Sequence, residues 1–112
     1  MAKSNEPIWW SFFSAGGMVA ALVIPVLVLI TGLWLPLRDA MTYEQLREMV
    51  SLWPVQGFLF VVVSTSLLHW AHRFRFTLID LGVHGARLPI AILCYGSALA
   101  GTLWAGWILF HL

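Results

Sequence analysis

The charges of this chain are crowded to its edges and into two short gaps, leaving three long runs without any. Pro7–Leu37, Met49–His72 and Leu88–Leu112, of 31, 24 and 25 residues, contain no Asp, Glu, Lys or Arg. A soluble helix needs a charged outer face, and these runs have none to offer. A bilayer core of about 30 Å is crossed by about 20 apolar residues in a helix. The sequence therefore predicts an all-α membrane protein with three transmembrane helices. They form a single membrane domain over 1–112, with spans near 15–35, 52–72 and 89–111. A hydrophobic content of 61% and a net charge of +1 exclude a disordered chain and give nucleic acid nothing to bind. A secretory signal is not expected, because the first apolar run is too long for one.

The first run is longer than a span requires. At about 1.5 Å per residue it would reach about 46 Å. Its aromatic start, Ile8-Trp9-Trp10-Ser11-Phe12-Phe13-Ser14, suits the headgroup boundary. Residues 7–14 are accordingly expected at the interface, with Ala15–Leu35 in the hydrocarbon and Pro25 as a kink point. In the first gap, Thr42 followed by Gln45 fits a capping box, predicting a short surface helix that runs into the second span. The second gap, Arg73–Arg87, carries Gly82 and Gly85 as turn signals. Lys3, Arg73, Arg75 and Arg87 fall on one side of a three-span topology, Arg38 and Arg47 on the other. The positive-inside rule then predicts a cytoplasmic N-terminus and an external C-terminus.

Few residues in the spans can do chemistry. Trp9 and Trp10 are either members of an aromatic belt or indole N–H donors to a carbonyl in an apolar pocket, a need that a quinone head group presents. His69 and His72 lie one helical turn apart on one face. Their open roles are interfacial solvation, a polar contact or proton relay to a ligand in the membrane, and axial ligation of haem, although nothing else in the sequence favours iron. Small residues recur at fourfold spacing, as in Gly16/Ala20, Gly17/Ala21, Gly96/Ala100 and Ser97/Gly101/Ala105. Such rows let helices approach closely, within this chain or against another protein. Cys94 reads as a small buried hydrophobe.

The segment Glu6-Pro7-Ile8-Trp9-Trp10, continued to Ala15-Gly16-Gly17-Met18, resembles the start of the D subunit of bacterial fumarate reductase, a small hydrophobic membrane anchor. The resemblance extends through Leu35-Pro36-Leu37, Thr42-Tyr43-Glu44, Leu68-His69 with His72, and Asp80-Leu81 with His84. It departs over Arg73–Ile79, which differs in length and holds fewer histidines. It implies a four-subunit complex of the bacterial inner membrane, active in anaerobic respiration. A flavoprotein subunit with covalent FAD reduces fumarate to succinate, and an iron–sulfur subunit relays electrons to it. Two small hydrophobic subunits, of which this chain would be one, anchor the pair and build a menaquinol site near the cytoplasmic face. The family's motif tryptophan maps onto Trp10, with Trp9 and His69 as further quinone-site candidates, and the resemblance implies no haem. This chain is expected to perform no catalysis alone, with the acid–base groups supplied by partners.

Two other readings use similar architecture. One is the small anchor of a succinate dehydrogenase. The other is a small oligomeric transporter, which usually needs an ionisable residue within a span; none of the three runs contains a carboxylate.

Overall fold

The three uncharged runs do become the long helices of the protein. The computed structural model describes residues 4–112, so Lys3, counted above with the N-terminal basic residues, lies outside the described residues. The elements are α1 (Glu6–Leu29), a π-helical turn (Ile30–Trp34), α2 (Leu35–Arg38), α3 (Tyr43–Val50), α4 (Trp53–Asp80) and α5 (Arg87–Phe110). Among the described residues, three helical stretches are long and apolar enough to cross a membrane: Glu6–Arg38, Trp53–Asp80 and Arg87–Phe110. The chain is an all-helical integral membrane protein.

Helix α1 starts with Pro7 in its first turn, where a missing N–H costs nothing, and with Glu6 at the positive end of the helix dipole. Residues 7–14 continue into the span as one unbroken helix, and Pro25 is absorbed without ending it. The departure from α geometry comes five residues later. Pro36 has no N–H to give, and its ring would crowd the carbonyl of Gly32 four residues back. Over Ile30–Trp34 the turn widens, and the Leu35 N–H reaches the Ile30 carbonyl, five residues back. Asp39, at φ 45°, then closes α2 in the left-handed region, and the Ala40 N–H returns to the Leu35 carbonyl at 3.3 Å.

The capping box at α3 is present. Gln45 N–H donates to Thr42 Oγ1 at 3.3 Å, and Thr42 N–H donates to Gln45 Oε1 at 2.9 Å. Unlike the expectation, α3 does not run into α4. Leu52 is extended, because a continuous helix would drive the Pro54 ring into the Val50 carbonyl. A second difference lies at the far end of α4. The charge pattern puts the gap at Arg73, yet α4 continues to Asp80 and carries Arg73 and Arg75 with it. Charge ends a hydrophobic run but not a helix, and no Pro or Gly intervenes before Gly82, whose φ of +105° makes the turn.

Both outer spans pack against α4. At the α1 contact, a Cβ on Gly16 would lie 2.5 Å from the Thr65 carbonyl oxygen, and one on Gly17 would lie 2.7 Å from the His69 ring. At the α5 contact, Ala71 meets Ile90, Cys94 and Ala98, with Leu67, Leu78 and Tyr95 around them. Gln56 ties the other end of the pair, donating from Nε2 to the Leu109 carbonyl at 2.6 Å and satisfying a last-turn acceptor. The small-residue rows thus divide. Gly101 faces Leu67 of α4, whereas Gly96 faces open space. Most large apolar side chains also face outward, among them Leu103, Trp104 and Trp107. Lipid or other protein must cover them.

Gly16→Ala should force α1 away from the α4 backbone, which cannot yield as a side-chain tip would. The expected cost is about 1–3 kcal/mol. Gly96→Ala, with nothing within 4 Å of the added carbon, should be neutral. Thermal unfolding of the detergent-solubilised protein checks the pair.

Candidate functional site

Glu6, Trp9, Trp10 and Phe13 follow the i, i+3, i+4, i+7 spacing of one helix face. That face of α1 turns toward α4, where Leu68 and His72 share a face one turn apart. With Tyr95 of α5 these seven residues enclose a cavity of about 380 Å³. Its walls are indole, phenyl and leucine surface. Few of its lining residues carry polar groups: Glu6, the two tryptophans, His72 and Tyr95. Apolar walls with a few placed polar groups are the usual character of a small-molecule site. A larger hollow of about 740 Å³ lies along Val26–Arg38, but a single helical stretch bounds it and nothing closes its other side.

The aromatic wall is ordered by edge and face contacts. Trp10 meets Phe13 edge-on, ring centres 5.7 Å apart at 87°, and meets the His72 ring at 6.3 Å and 85°. Phe13 also meets His72, at 4.8 Å and 68°. These geometries are the favourable ones for rings carrying a quadrupole. Trp9 and Trp10 remain 66% and 59% exposed, so both present ring surface that the chain itself does not use.

His69 has a different task from His72. Its ring lies under Gly17 and stacks on Phe13, centres 4.3 Å apart at 24°. A carbonyl can only accept, so His69 Nδ1–H donates to the Phe13 carbonyl at 2.9 Å. His69 therefore fastens α1 to α4 and props the Phe13 wall from behind; it is not among the residues lining the cavity. His72 lines it, with Nδ1 2.8 Å from the Tyr95 hydroxyl oxygen. Arg75 donates to that same oxygen at 3.4 Å, its guanidinium lying over the Phe76 and Tyr95 rings at 5.1 and 5.7 Å.

Of the residues singled out from sequence, Trp9 and Trp10 reach the cavity, together with His72; His69 stands one layer behind. Sequence reasoning passed over Glu6, Phe13 and Tyr95. The first two were available from the helical spacing around Trp9 and Trp10. Tyr95 carried a weaker signal, a phenol within an otherwise apolar span whose hydroxyl needs a partner. Glu6 also qualifies the expectation that acid–base groups come from elsewhere, since one carboxylate of this chain lines the cavity.

Three spanning helices and an aromatic slot at one end of the bundle define a small multi-span membrane protein with room for a flat, apolar ligand. Residues 1–110 match the fumarate reductase D-subunit family, and the chain belongs to that family. It is 47% identical over 111 residues to the fumarate reductase D subunit of Mycobacterium tuberculosis (strain ATCC 25618 / H37Rv), covering 96% of this chain and 88% of the relative. It is 35% identical to the proteins of the same name from Vibrio campbellii and Photobacterium profundum, over 86% of this chain and 79% and 82% of theirs. As the family name states, its members are parts of an enzyme complex, and the three apolar spans fit a membrane anchor.

His69→Ala should remove the clasp between α1 and α4. Hydrogen bonds between membrane helices contribute about 0.6 kcal/mol on average, and the lost ring stacking adds about 1 kcal/mol. A fall in unfolding temperature without loss of α4–α5 association, read by proximity crosslinking of each helix pair, is the expected result.

Proposed function

We propose that this chain anchors a quinol–fumarate reductase to the bacterial cytoplasmic membrane and forms one wall of its menaquinol-binding site. Its partners are the flavoprotein subunit with its FAD, the iron–sulfur subunit, and a second small membrane subunit. The complex passes electrons from menaquinol through the iron–sulfur protein to fumarate in anaerobic respiration. The N-terminus lies on the cytoplasmic side and the C-terminus outside. Arg73 and Arg75 on α4 and Arg87 at the start of α5 lie toward the same end as the cavity, against Arg38 and Arg47 at the other.

The observation that carries this reading is that the Glu6–Phe13 face, which holds the family motif, opens onto the cavity together with His72. The residues present fit a quinone head group. An aromatic bicycle with two oxygens needs flat apolar walls and donors at its edge, and Trp9, Trp10, Phe13 and Leu68 supply the first while the indole N–H and His72 supply the second. The bound quinol supplies the electrons; this chain contributes orientation, exclusion of water and hydrogen bonds. Trp10 packs on the ring or donates from its indole. Trp9 extends the wall, and His69 acts through Phe13 by holding it in place. Glu6, at the helix start, is placed to accept a proton as quinol is oxidised.

Trp10→Ala in the assembled complex should lower kcat/KM for menaquinol about ten-fold, equivalent to about 1.4 kcal/mol of lost interaction. Fumarate reduction with an artificial one-electron donor, which bypasses the quinol, reports whether the complex has assembled. Unchanged menaquinol turnover in an assembled Trp10→Ala complex would reduce Trp10 to an interfacial anchor.

A further inference from the structure

Two histidines one turn apart on α4 are held in opposite ways. His69 gives its Nδ1 proton to the Phe13 carbonyl, so in the neutral ring Nε2 is the acceptor. At His72 the partner is a hydroxyl, which can donate as well as accept. Arg75 has only donors, so the Tyr95 oxygen accepts from it at 3.4 Å. A hydroxyl accepting from a guanidinium is polarised toward donation, and its proton has the His72 Nδ1 as acceptor at 2.8 Å. With Nδ1 accepting that proton, the ring proton of neutral His72 belongs on Nε2. Trp10, Phe13 and Phe76 meet the imidazole at 6.3, 4.8 and 4.9 Å between ring centres, each nearer edge-on than stacked. That tautomer puts an N–H donor on a residue that lines the cavity, set by a hydroxyl from α5 and a cation one turn further along α4.

Resting on the menaquinol reading above, we propose that His72 Nε2–H donates a hydrogen bond to a quinone oxygen, with Tyr95 as the positioning residue that selects the donating tautomer and Arg75 as the residue that orients Tyr95. Of the two histidines, the geometry assigns the direct polar contact to His72, while His69 stays behind the wall. An aromatic slot with one oriented donor favours ligands that present a carbonyl or phenolic oxygen in the ring plane, and a fully apolar tail or a primary amine gains nothing from it.

Tyr95→Phe removes the hydroxyl and keeps the ring. In the assembled complex it should raise the menaquinol KM about ten-fold, the loss of roughly one well-placed hydrogen bond, with a much smaller change in kcat. Ring 15N chemical shifts of histidine-labelled protein should show His72 shifting from the Nε2–H form to a mixture of tautomers, with His69 unaltered. His72→Gln, which retains an N–H donor, should keep more quinol affinity than His72→Leu. His111→Ala, at the opposite end of α5, should leave the KM at the wild-type value. An unchanged KM in Tyr95→Phe, or equal KM values for His72→Gln and His72→Leu, overturns the proposal. If Trp10→Ala impairs quinol oxidation in those same assays, the cavity reading survives and only the His72 assignment fails. If Trp10→Ala is silent as well, both fall.

Discussion

Everything in this protein hangs on how closely α1 can approach α4. The two helices meet at Gly16 and Gly17, where even a methyl group would collide with the Thr65 carbonyl or the His69 ring. Within the bilayer, apolar side chains gain little by leaving lipid for one another, so close backbone contact and interhelical hydrogen bonds must supply the association. Here both occur within one turn, since the His69 ring that fills the space beside Gly17 also donates to the Phe13 carbonyl. This contact sets the height and rotation of the first turns of α1. It thereby decides that Trp9, Trp10 and Phe13 face the cavity rather than the lipid.

The helix α4 is the common neighbour through which the other two spans are related. One of its faces receives α1 through glycines, and another receives α5 through Ala71, Cys94 and Ala98. His72 stands between these faces, which explains how it can touch α1 aromatics and an α5 phenol together. Among the described residues, side-chain hydrogen bonds that join different long helices are few: Gln56 at one end of α4–α5, and the His69, His72 and Arg75 contacts near the other. Such an arrangement leaves most of the apolar surface for other occupants. That fits a subunit of a larger enzyme complex.

The sequence was most legible where one physical requirement acts alone. Absence of charge over Pro7–Leu37, Met49–His72 and Leu88–Leu112 marked the spans, and Thr42 with Gln45 marked the start of α3. Boundaries governed by two competing requirements were less so. Arg73 ended the apolar run, but nothing local stopped the backbone before Gly82, so α4 outlasted its hydrophobic segment. Trp9 and Trp10 were visible as an aromatic cluster in an over-long first run. The division of labour between His69 and His72 was not, because it depends on a carbonyl from α1 and a hydroxyl from α5. Helical spacing could say only that both histidines share a face. Tyr95 became part of the site through the rotation of α5 against Ala71, which no local pattern encodes.

The widened turn at Ile30–Trp34 has a consequence for reading the first span as a whole. Accommodating one additional residue in a turn rotates everything downstream by about 100°, the angle that one residue subtends in an α-helix. Leu35–Arg38 are therefore out of phase with Glu6–Leu29, and a single helical wheel drawn across both assigns the later residues to the wrong side. A relative lacking one residue here could keep both halves facing as they do by reverting to ordinary α geometry. The turn is thus a natural seam for length change in the middle of an otherwise incompressible membrane element.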